Sequence, residues 1–328
     1  MSDGVYLVET VTTSAFTLRA ADADLKLDCG FEPGIAAFGP GEGEPWGAMA
    51  LREADGTVSA RFWVAPERRG RKLGAAMLRA VAGPVFATGA KRFETRAPVR
   101  ELAAIRSAMR AGFRPDAGII RGGAWDGSDA LGLGLLPEYG HGPAPRALPD
   151  LPGGELTDGT VSLRTLRPDD FEDHLRHRAS PDVYSGAALQ LPPSVGEIAD
   201  MCEWRAAIDW LRGRSALMVV DDGTGYRGTI GLYDVARVVG TAMIGYDLSA
   251  GARGKGYATR AVRLVCRWAF TEVGVDRVWA GTDVHNAASQ AVLRRAGFRL
   301  EGIARGGLPT LDGTRRDTLS WAALSRDT

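Results

Sequence analysis

The 328-residue chain is poor in cysteine, poor in histidine and without an excess of charge of either sign. Its three cysteines, Cys29, Cys202 and Cys266, are scattered, form no CxxC pair and make no cluster with the four histidines. That pattern argues against a disulfide framework and against a structural metal, so a reduced, cytoplasmic protein with no metal site is expected. Forty basic residues balance forty acidic ones, giving a formal net charge of zero. No strong global field results, so neither a nucleic acid nor a membrane surface is expected as a partner. No uncharged apolar run reaches the ~18 residues of a membrane-spanning helix. The opening MSDGVYLVET lacks the basic-then-apolar order of a secretory signal.

What is present is organised. A chain of this length suggests two domains. Leu136 to Gly154 is rich in Pro and Gly and lacks apolar periodicity, as a semi-rigid linker does. The expected boundaries are a domain over 1–137, a linker over 138–152 and a second domain over 153–328. After the linker, Thr160–Leu166 alternates like a strand, and Pro168 with Asp169 and Asp170 opens a helix. Ser194–Arg212 reads as a helix. Ser215–Val220, Tyr226–Val235 and Val238–Leu248 read as strands, the first two separated by Asp222-Gly223 and Thr224-Gly225. A helix is predicted from about Gly256 to Val273, where Tyr257, Ala261, Leu264, Val265, Trp268 and Ala269 recur at helical spacing. Arg277–Asp283 is a strand, Asn286–Ala296 a short helix closed by Gly297, and Phe298–Trp321 two strands around Leu311-Asp312-Gly313. This succession is a mixed α/β or α+β pattern.

The first half repeats the end of that order. Thr57–Ala65 is strand-like, Arg71–Val81 helical, Arg92–Ala97 strand-like and Glu101–Ala111 helical. Aligning Gly112-Phe113 with Gly297-Phe298 requires an offset of 185, and aligning Arg69 with Arg253 an offset of 184. Two independent landmarks agreeing within one residue point to an internal duplication. The first half is shorter at its N-terminal side, so its early helices are expected to be missing or reduced.

The segment that carries chemistry runs from Gly245-Tyr246-Asp247-Leu248 through Ser249–Ala252 to Arg253-Gly254-Lys255-Gly256-Tyr257-Ala258-Thr259. A strand ends there and a glycine-rich turn opens a helix. Such a turn directs successive N–H groups into one concavity, and the helix N-terminus adds partial positive charge, which together suit a pyrophosphate. Gly254 and Gly256 lack Cβ and let phosphate oxygens approach, while Arg253 and Lys255 add charge. Alone, such a turn is more often a plain turn. A second segment, Asn286-Ala287-Ala288-Ser289, starts the helix ending at Gly297-Phe298; its plain reading is an Asn N-cap. The two segments in this order and at this distance are much harder to obtain by chance.

On these motifs the region Thr160–Ser325 resembles the GNAT superfamily of N-acyltransferases. Arg253-Gly254-Lys255-Gly256-Tyr257-Ala258 fits the superfamily's R/Q-x-x-G-x-G/A loop. Asn286-x-x-Ser289 with Gly297-Phe298-Arg299-Leu300-Glu301-Gly302 resembles the RimJ/RimL branch, which acetylates ribosomal-protein N-termini and includes enzymes for other amines. One departure stands out, in that Thr259-Arg260-Ala261 replaces the branch's usual Thr-Glu-Ala. The resemblance implies two tandem GNAT-like domains, each a mixed, mostly antiparallel sheet flanked by helices. It also implies acetyl-CoA as cosubstrate and a primary amine as acceptor, tilted towards an α-amine of a peptide or protein. A small-molecule or antibiotic amine, aminoacyl transfer from aminoacyl-tRNA, and a non-catalytic CoA-binding scaffold stay open.

The same resemblance assigns roles. Tyr246, Asp247, Leu248, Arg253, Gly254, Lys255, Gly256, Tyr257, Ala258, Thr259 and Asn286 are the expected cosubstrate-binding residues. Ser289 is the candidate acid that protonates the departing thiolate, and an exposed helix-start serine is its plain alternative. Asp234 is the candidate base, with Asp247, Asp283 or a water chain as rivals. In the first half the corresponding loop reads Arg69-Gly70-Arg71-Lys72-Leu73-Gly74. Lys72 takes the place of Gly256, Glu101 that of Asn286 and Ala104 that of Ser289, so a degenerate, structural domain is expected there. Lys72 is expected to hinder phosphate approach through its side chain and its reduced backbone freedom.

Overall fold

A computed structural model describes residues 10–21, 27, 34–41, 43–140, 142–184 and 191–327 of the chain. Cys29 lies outside these residues; Cys202 and Cys266 are buried free thiols. The chain divides into two compact units, Met1–Pro145 and Arg146–Thr328.

The first unit builds strands β1 (Val11–Thr12), β2 (Thr17–Ala20), β3 (Ile35–Phe38), β4 (Gly47–Ala54) and β5 (Thr57–Val64). Helix α1 (Leu73–Ala87) crosses to β6 (Arg92–Pro98), and α2 (Leu102–Arg110), β7 (Arg114–Ile120) and β8 (Ala130–Leu135) follow. The sheet order is β1-β2-β3-β4-β5-β6-β8-β7. Among the described residues of this unit only the β5–β6 pair is parallel, because α1 provides the long crossover that parallel neighbours need. Met77, Leu78, Val81 and Val85 give α1 its buried stripe, and Phe93 and Phe113 meet edge to face beneath it.

The second unit has β9 (Glu155–Thr157) and β10 (Ser162–Thr165), then helices α3 (Phe171–Arg178), α4 (Pro181–Tyr184), α5 (Val195–Asp200) and α6 (Ala206–Leu211). Strands β11 (Ser215–Asp221), β12 (Tyr226–Ala236) and β13 (Thr241–Leu248) come next, followed by α7 (Tyr257–Trp268) and β14 (Arg277–Asp283). Helix α8 (Ala287–Arg295) and the hairpin of β15 (Arg299–Pro309) and β16 (Arg315–Leu324) complete it. The order β15-β16-β14-β13-β12-β11-β10-β9 matches, strand for strand, that of the first unit. The parallel pair is again the one joined across a helix, here β13–β14. The duplication is thus one of topology. The connection between β2 and β3 spans residues 21–34, where 166–214 join β10 to β11; most of 21–34 lies outside the described residues, and so does the outcome of the expected loss of early helices.

Sequence and structure differ in instructive places. The predicted helix 194–212 is one helical run in which a π-turn, Met201–Arg205, links α5 to α6. Ser194 opens it with a capping box: its hydroxyl accepts from Glu197 N–H, and Glu197 accepts from Ser194 N–H. A second π-turn, Ala269–Val273, ends the helix begun by α7. The strand predicted from Val238 begins at Thr241 instead, because the preceding residues turn back and leave Val238 and Val239 exposed. Part of the proline-rich stretch packs on the second unit: Leu148 and Leu151 are buried in its core, and Trp210 Nε1 donates to Pro149 O at 3.0 Å. That core is sealed by α7 through Ala261, Val262, Val265 and Trp268, each large apolar side chain contributing about 1.5–3 kcal/mol.

Candidate active site

The site follows from the way β13 leaves β14. The two strands pair only at Thr241–Met243 with Arg277–Trp279, although β13 runs on to Leu248 and β14 to Asp283. Beyond Met243 they separate, so backbone groups on that edge of β13 face a gap instead of a neighbouring strand. On its other edge β13 stays paired with β12 to the end, Thr229 opposite Asp247 and Gly228 opposite Leu248.

At the end of β13 the chain makes a short 3-10 turn, Ala250–Ala252, and enters the loop before α7. Gly254 and Gly256 both have left-handed backbone, at φ 75° and 81°, and Gly256 is the N-cap residue of α7. A Cβ added at either would meet nothing within 4 Å, so the glycines keep a concavity open rather than avoid a neighbour. The first N–H groups of α7 lack intrahelical partners and are available to an anion there. Arg253 braces the loop. Its Nε donates to Leu248 O at 3.0 Å, tying the loop to the strand end, and its Nη2 pairs with Asp182 on α4 at 2.5 Å. Lys255 and Tyr257 flank the loop, with the ammonium 6.0 Å from the ring centroid.

Successive residues of a strand point to opposite faces, and here that alternation separates two groups. On the α8 side, Tyr246 OH lies 2.9 Å from Ser289 Oγ and donates to Ser289 O at 3.2 Å. Burial pushes the Tyr246 phenol up to about 12, so it keeps its proton. Ser289 is held in place by its helix: Asn286 Oδ1 accepts from Ser289 N–H at 3.0 Å, which makes Asn286 an N-cap. The structure therefore brings Tyr246, Ser289 and Asn286 together.

On the α3 side stands Asp247. Its Oδ1 takes His177 Nε2 at 2.5 Å and Thr229 Oγ1 at 2.8 Å, and its Oδ2 takes Arg178 Nη1 at 3.0 Å. Burial alone would raise this carboxyl. The His177 hydrogen bond and the charges of His177 and Arg178 outweigh it and hold the group below the usual carboxylate range. His177, with its side chain 1% exposed, uses its other nitrogen, Nδ1, to meet Ser249 Oγ at 3.0 Å. Its ring packs on Tyr226, which also hydrogen-bonds His174 Nδ1 at 2.8 Å. Ser249 and His177 line a cavity of about 490 Å³ together with Ser180, Val183, Tyr226 and Arg227.

Of the candidate bases, Asp234 is exposed, left-handed at φ 48° and placed on a bulge between Tyr233 and Ala236, away from this cluster. Asp283 caps the turn after β14 through His285 N–H and pairs with Arg316. His177, Arg178, Thr229 and Ser249 did not emerge from the sequence motifs. The one available signal was the His174-x-x-His177 spacing, which puts two imidazoles on one helix face. Among the described residues no group of three or more His, Cys, Asp or Glu side chains could hold a metal ion. No described helix is long and apolar enough to cross a membrane.

The family model for an acetyltransferase (GNAT) domain matches residues 160–299. YdaF of Bacillus subtilis, named as a putative ribosomal N-acetyltransferase, is 35% identical over 123 residues, which are 36% of this chain and 67% of YdaF. The chain belongs to the GNAT acetyltransferase family. "Probable N-acetyltransferase YjcK" of the same organism is 42% identical over 101 residues, 30% of this chain, and the match spans only 55% of YjcK's own length. Among solved structures, Mycobacterium smegmatis RimJ in complex with CoA-disulfide is 26% identical at a TM-score of 0.47, covering 53% of this chain and 87% of that one. GNAT enzymes draw their acetyl group from acetyl-CoA, and the open glycine concavity beside a strand gap fits such a cosubstrate.

Proposed function

We propose that the second unit transfers acetyl from acetyl-CoA to a primary amine, with an α-amine of a peptide or protein as the acceptor class. The observation that supports this most directly is the arrangement around β13. One edge opens onto the gap, one face carries the Tyr246–Ser289 hydroxyl pair, and the opposite face carries the polar cluster of Asp247. The backbone of Arg253–Thr259 at the N-terminus of α7 would hold the pyrophosphate. The pantetheine arm would lie along β13, where a backbone N–H near Asp247 or Leu248 polarises the acyl carbonyl.

Direct attack by a neutral amine on the thioester then needs two proton movements. One proton leaves the acceptor ammonium, and one reaches the departing thiolate. The hydroxyl pair supplies the second: Ser289 gives its proton to the sulfur, and Tyr246, kept protonated by burial, stands 2.9 Å behind it. An α-amine, ordinarily near 7.7–8.0, needs little help to become neutral at pH 7, whereas a lysine amine near 10.4 needs far more. The test is acetyl-CoA turnover with a panel of N-terminal peptides, polyamines and aminoglycosides, read by thiol release and by mass shift of the acceptor. Thiol release with a mass gain on the peptide α-amine supports the reading; turnover confined to small amines would reassign the acceptor.

A further inference from the structure

The reaction leaves one proton unassigned, and the α3 side of β13 holds a set of groups that the cosubstrate loop does not use. We infer that Ser249, His177 and Asp247 form a proton-accepting relay that opens on the cavity and deprotonates an acceptor ammonium seated there. The inference rests on the acetyl-transfer reading above.

In the neutral form of the His177 ring, the hydrogen bonds fix the direction of the relay. A carboxylate accepts, so the 2.5 Å contact between Asp247 Oδ1 and His177 Nε2 places the imidazole proton on Nε2. Nδ1 is then the free lone pair, and it accepts from the Ser249 hydroxyl at 3.0 Å. A proton arriving from an ammonium in the cavity moves to Ser249 Oγ while the serine's own proton moves to His177 Nδ1. The amine becomes neutral, serine is regenerated and His177 becomes an imidazolium facing an ionised Asp247. No oxidant or further reactant is required.

Asp247 is poorly suited to take the proton itself. It already accepts from Thr229 and Arg178 as well as from His177, and it is held ionised below the usual carboxylate range. It is placed instead to orient the ring and stabilise its charge, as the carboxylate of a hydrolytic triad does. The groups facing His177 come from every element around it. They are Arg178, His174 and, at the cavity, Asp173 and Arg176 on α3; Tyr226 and Arg227 on β12; and Asp247 and Ser249 at the end of β13. The nearest opposite charge to an imidazolium at this position is Asp247, in direct contact. In the first unit the position of Asp247 is taken by Trp63 and that of its neighbour Thr229 by Ala48, so the relay has no counterpart there.

Two measurements test the relay, one with turnover and one without. In thiol-release kinetics, His177→Gln and Ser249→Ala should lower kcat/KM for a peptide amine by ~10²-fold near pH 7. Activity should recover as pH rises past the amine's own value of about 8, where the free amine needs no base. Acetyl-CoA affinity by calorimetry should be unchanged in both variants. A loss that is the same at every pH would mean a structural role, and an unchanged rate would remove the relay altogether. Independently of turnover, ¹⁵N shifts of the His177 ring in the wild-type chain should report the Nε2–H form near pH 7; an Nδ1–H ring would overturn the proposed direction. If wild-type protein acetylates no amine in the panel, the transfer reading fails, and the ring tautomer still decides whether the relay can exist.

Discussion

The two units use one backbone plan for two sets of side chains. With the offset of 184, Arg69 corresponds to Arg253, Gly70 to Gly254 and Lys72 to Gly256. Arg69 Nε donates to Val64 O at 3.1 Å, as Arg253 Nε does to Leu248 O at 3.0 Å. Gly70 at φ 80° and Lys72 at φ 61° keep the left-handed turns of their counterparts. The reduced backbone freedom expected of Lys72 is therefore met by a backbone that holds the turn regardless, at a cost of roughly 1–2 kcal/mol for a residue with Cβ. The differences lie in the groups proposed to touch substrates. Phe62 stands at the Tyr246 position and Ala104 at the Ser289 position, and Glu101 has the backbone of Asn286 but makes no side-chain cap. The comparison separates what both units keep, an arginine bracing a left-handed loop to a strand end, from what the second unit alone has, the Tyr246–Ser289 hydroxyl pair and a glycine at 256.

Four experiments press on that comparison. The first is all-or-none in the number of sites: titration calorimetry of the whole chain with acetyl-CoA gives one site, and Gly256→Leu weakens it by about tenfold or more, because a side chain enters the concavity. Two equivalent sites would show that the loop backbone suffices and the side-chain differences do not matter. Next comes acid. Burial, followed by the charges of Arg178 and His177, pushes the His174 imidazole down to about 4 from an ordinary value near 6.5. The unfolded chain therefore binds a proton between these values that the folded chain does not, and stability falls as pH drops through that window, by roughly 3 kcal/mol in all. Denaturant melts at pH 7 and 4.5 should show this loss in the second unit, and His174→Gln should flatten it. Third, Ser289→Ala should reduce kcat by ~10²-fold with acetyl-CoA affinity unchanged, and Tyr246→Phe, which copies the first unit, by less. A wild-type rate in Ser289→Ala would pass its role to water. The smallest effect tests the cap: Glu101→Asn should restore to α2 the bond that Asn286 gives α8 and stabilise the first unit by about 0.5–1 kcal/mol, read as a raised Tm.

Local rules made much of this legible. The strands at Arg277–Asp283 and Ser215–Asp221, the caps at Ser194 and Asn286, and the loop at Gly254–Gly256 all follow from residue types that have few alternatives at those positions. The Tyr246–Ser289 contact spans 43 residues of sequence but was foreshadowed, since both positions sat in recognised motifs. His177 was not legible, because its partner Asp247 is 70 residues away and the contact depends on how α3 lies on the sheet. Asp234 drew attention as an acid on a central strand, yet a bulge turns it outward, and a bulge leaves little trace in an otherwise alternating run. The two π-turns were invisible for a similar reason: one extra residue per turn shifts the apolar stripe without breaking it.

The burial of Leu148 and Leu151 bears on where this polypeptide can be cut. Composition would place a cut near residue 153, after the last proline of the stretch. That cut would remove two apolar side chains from a close-packed interior, each loss on the order of 2–5 kcal/mol by analogy with truncation to alanine. It would also strip the indole of Trp210 of its acceptor, Pro149 O. A fragment beginning at Arg146 keeps all three. The stretch between these two points behaves as a clasp that the second unit closes over its own base, so a protease acting on the native protein should spare it.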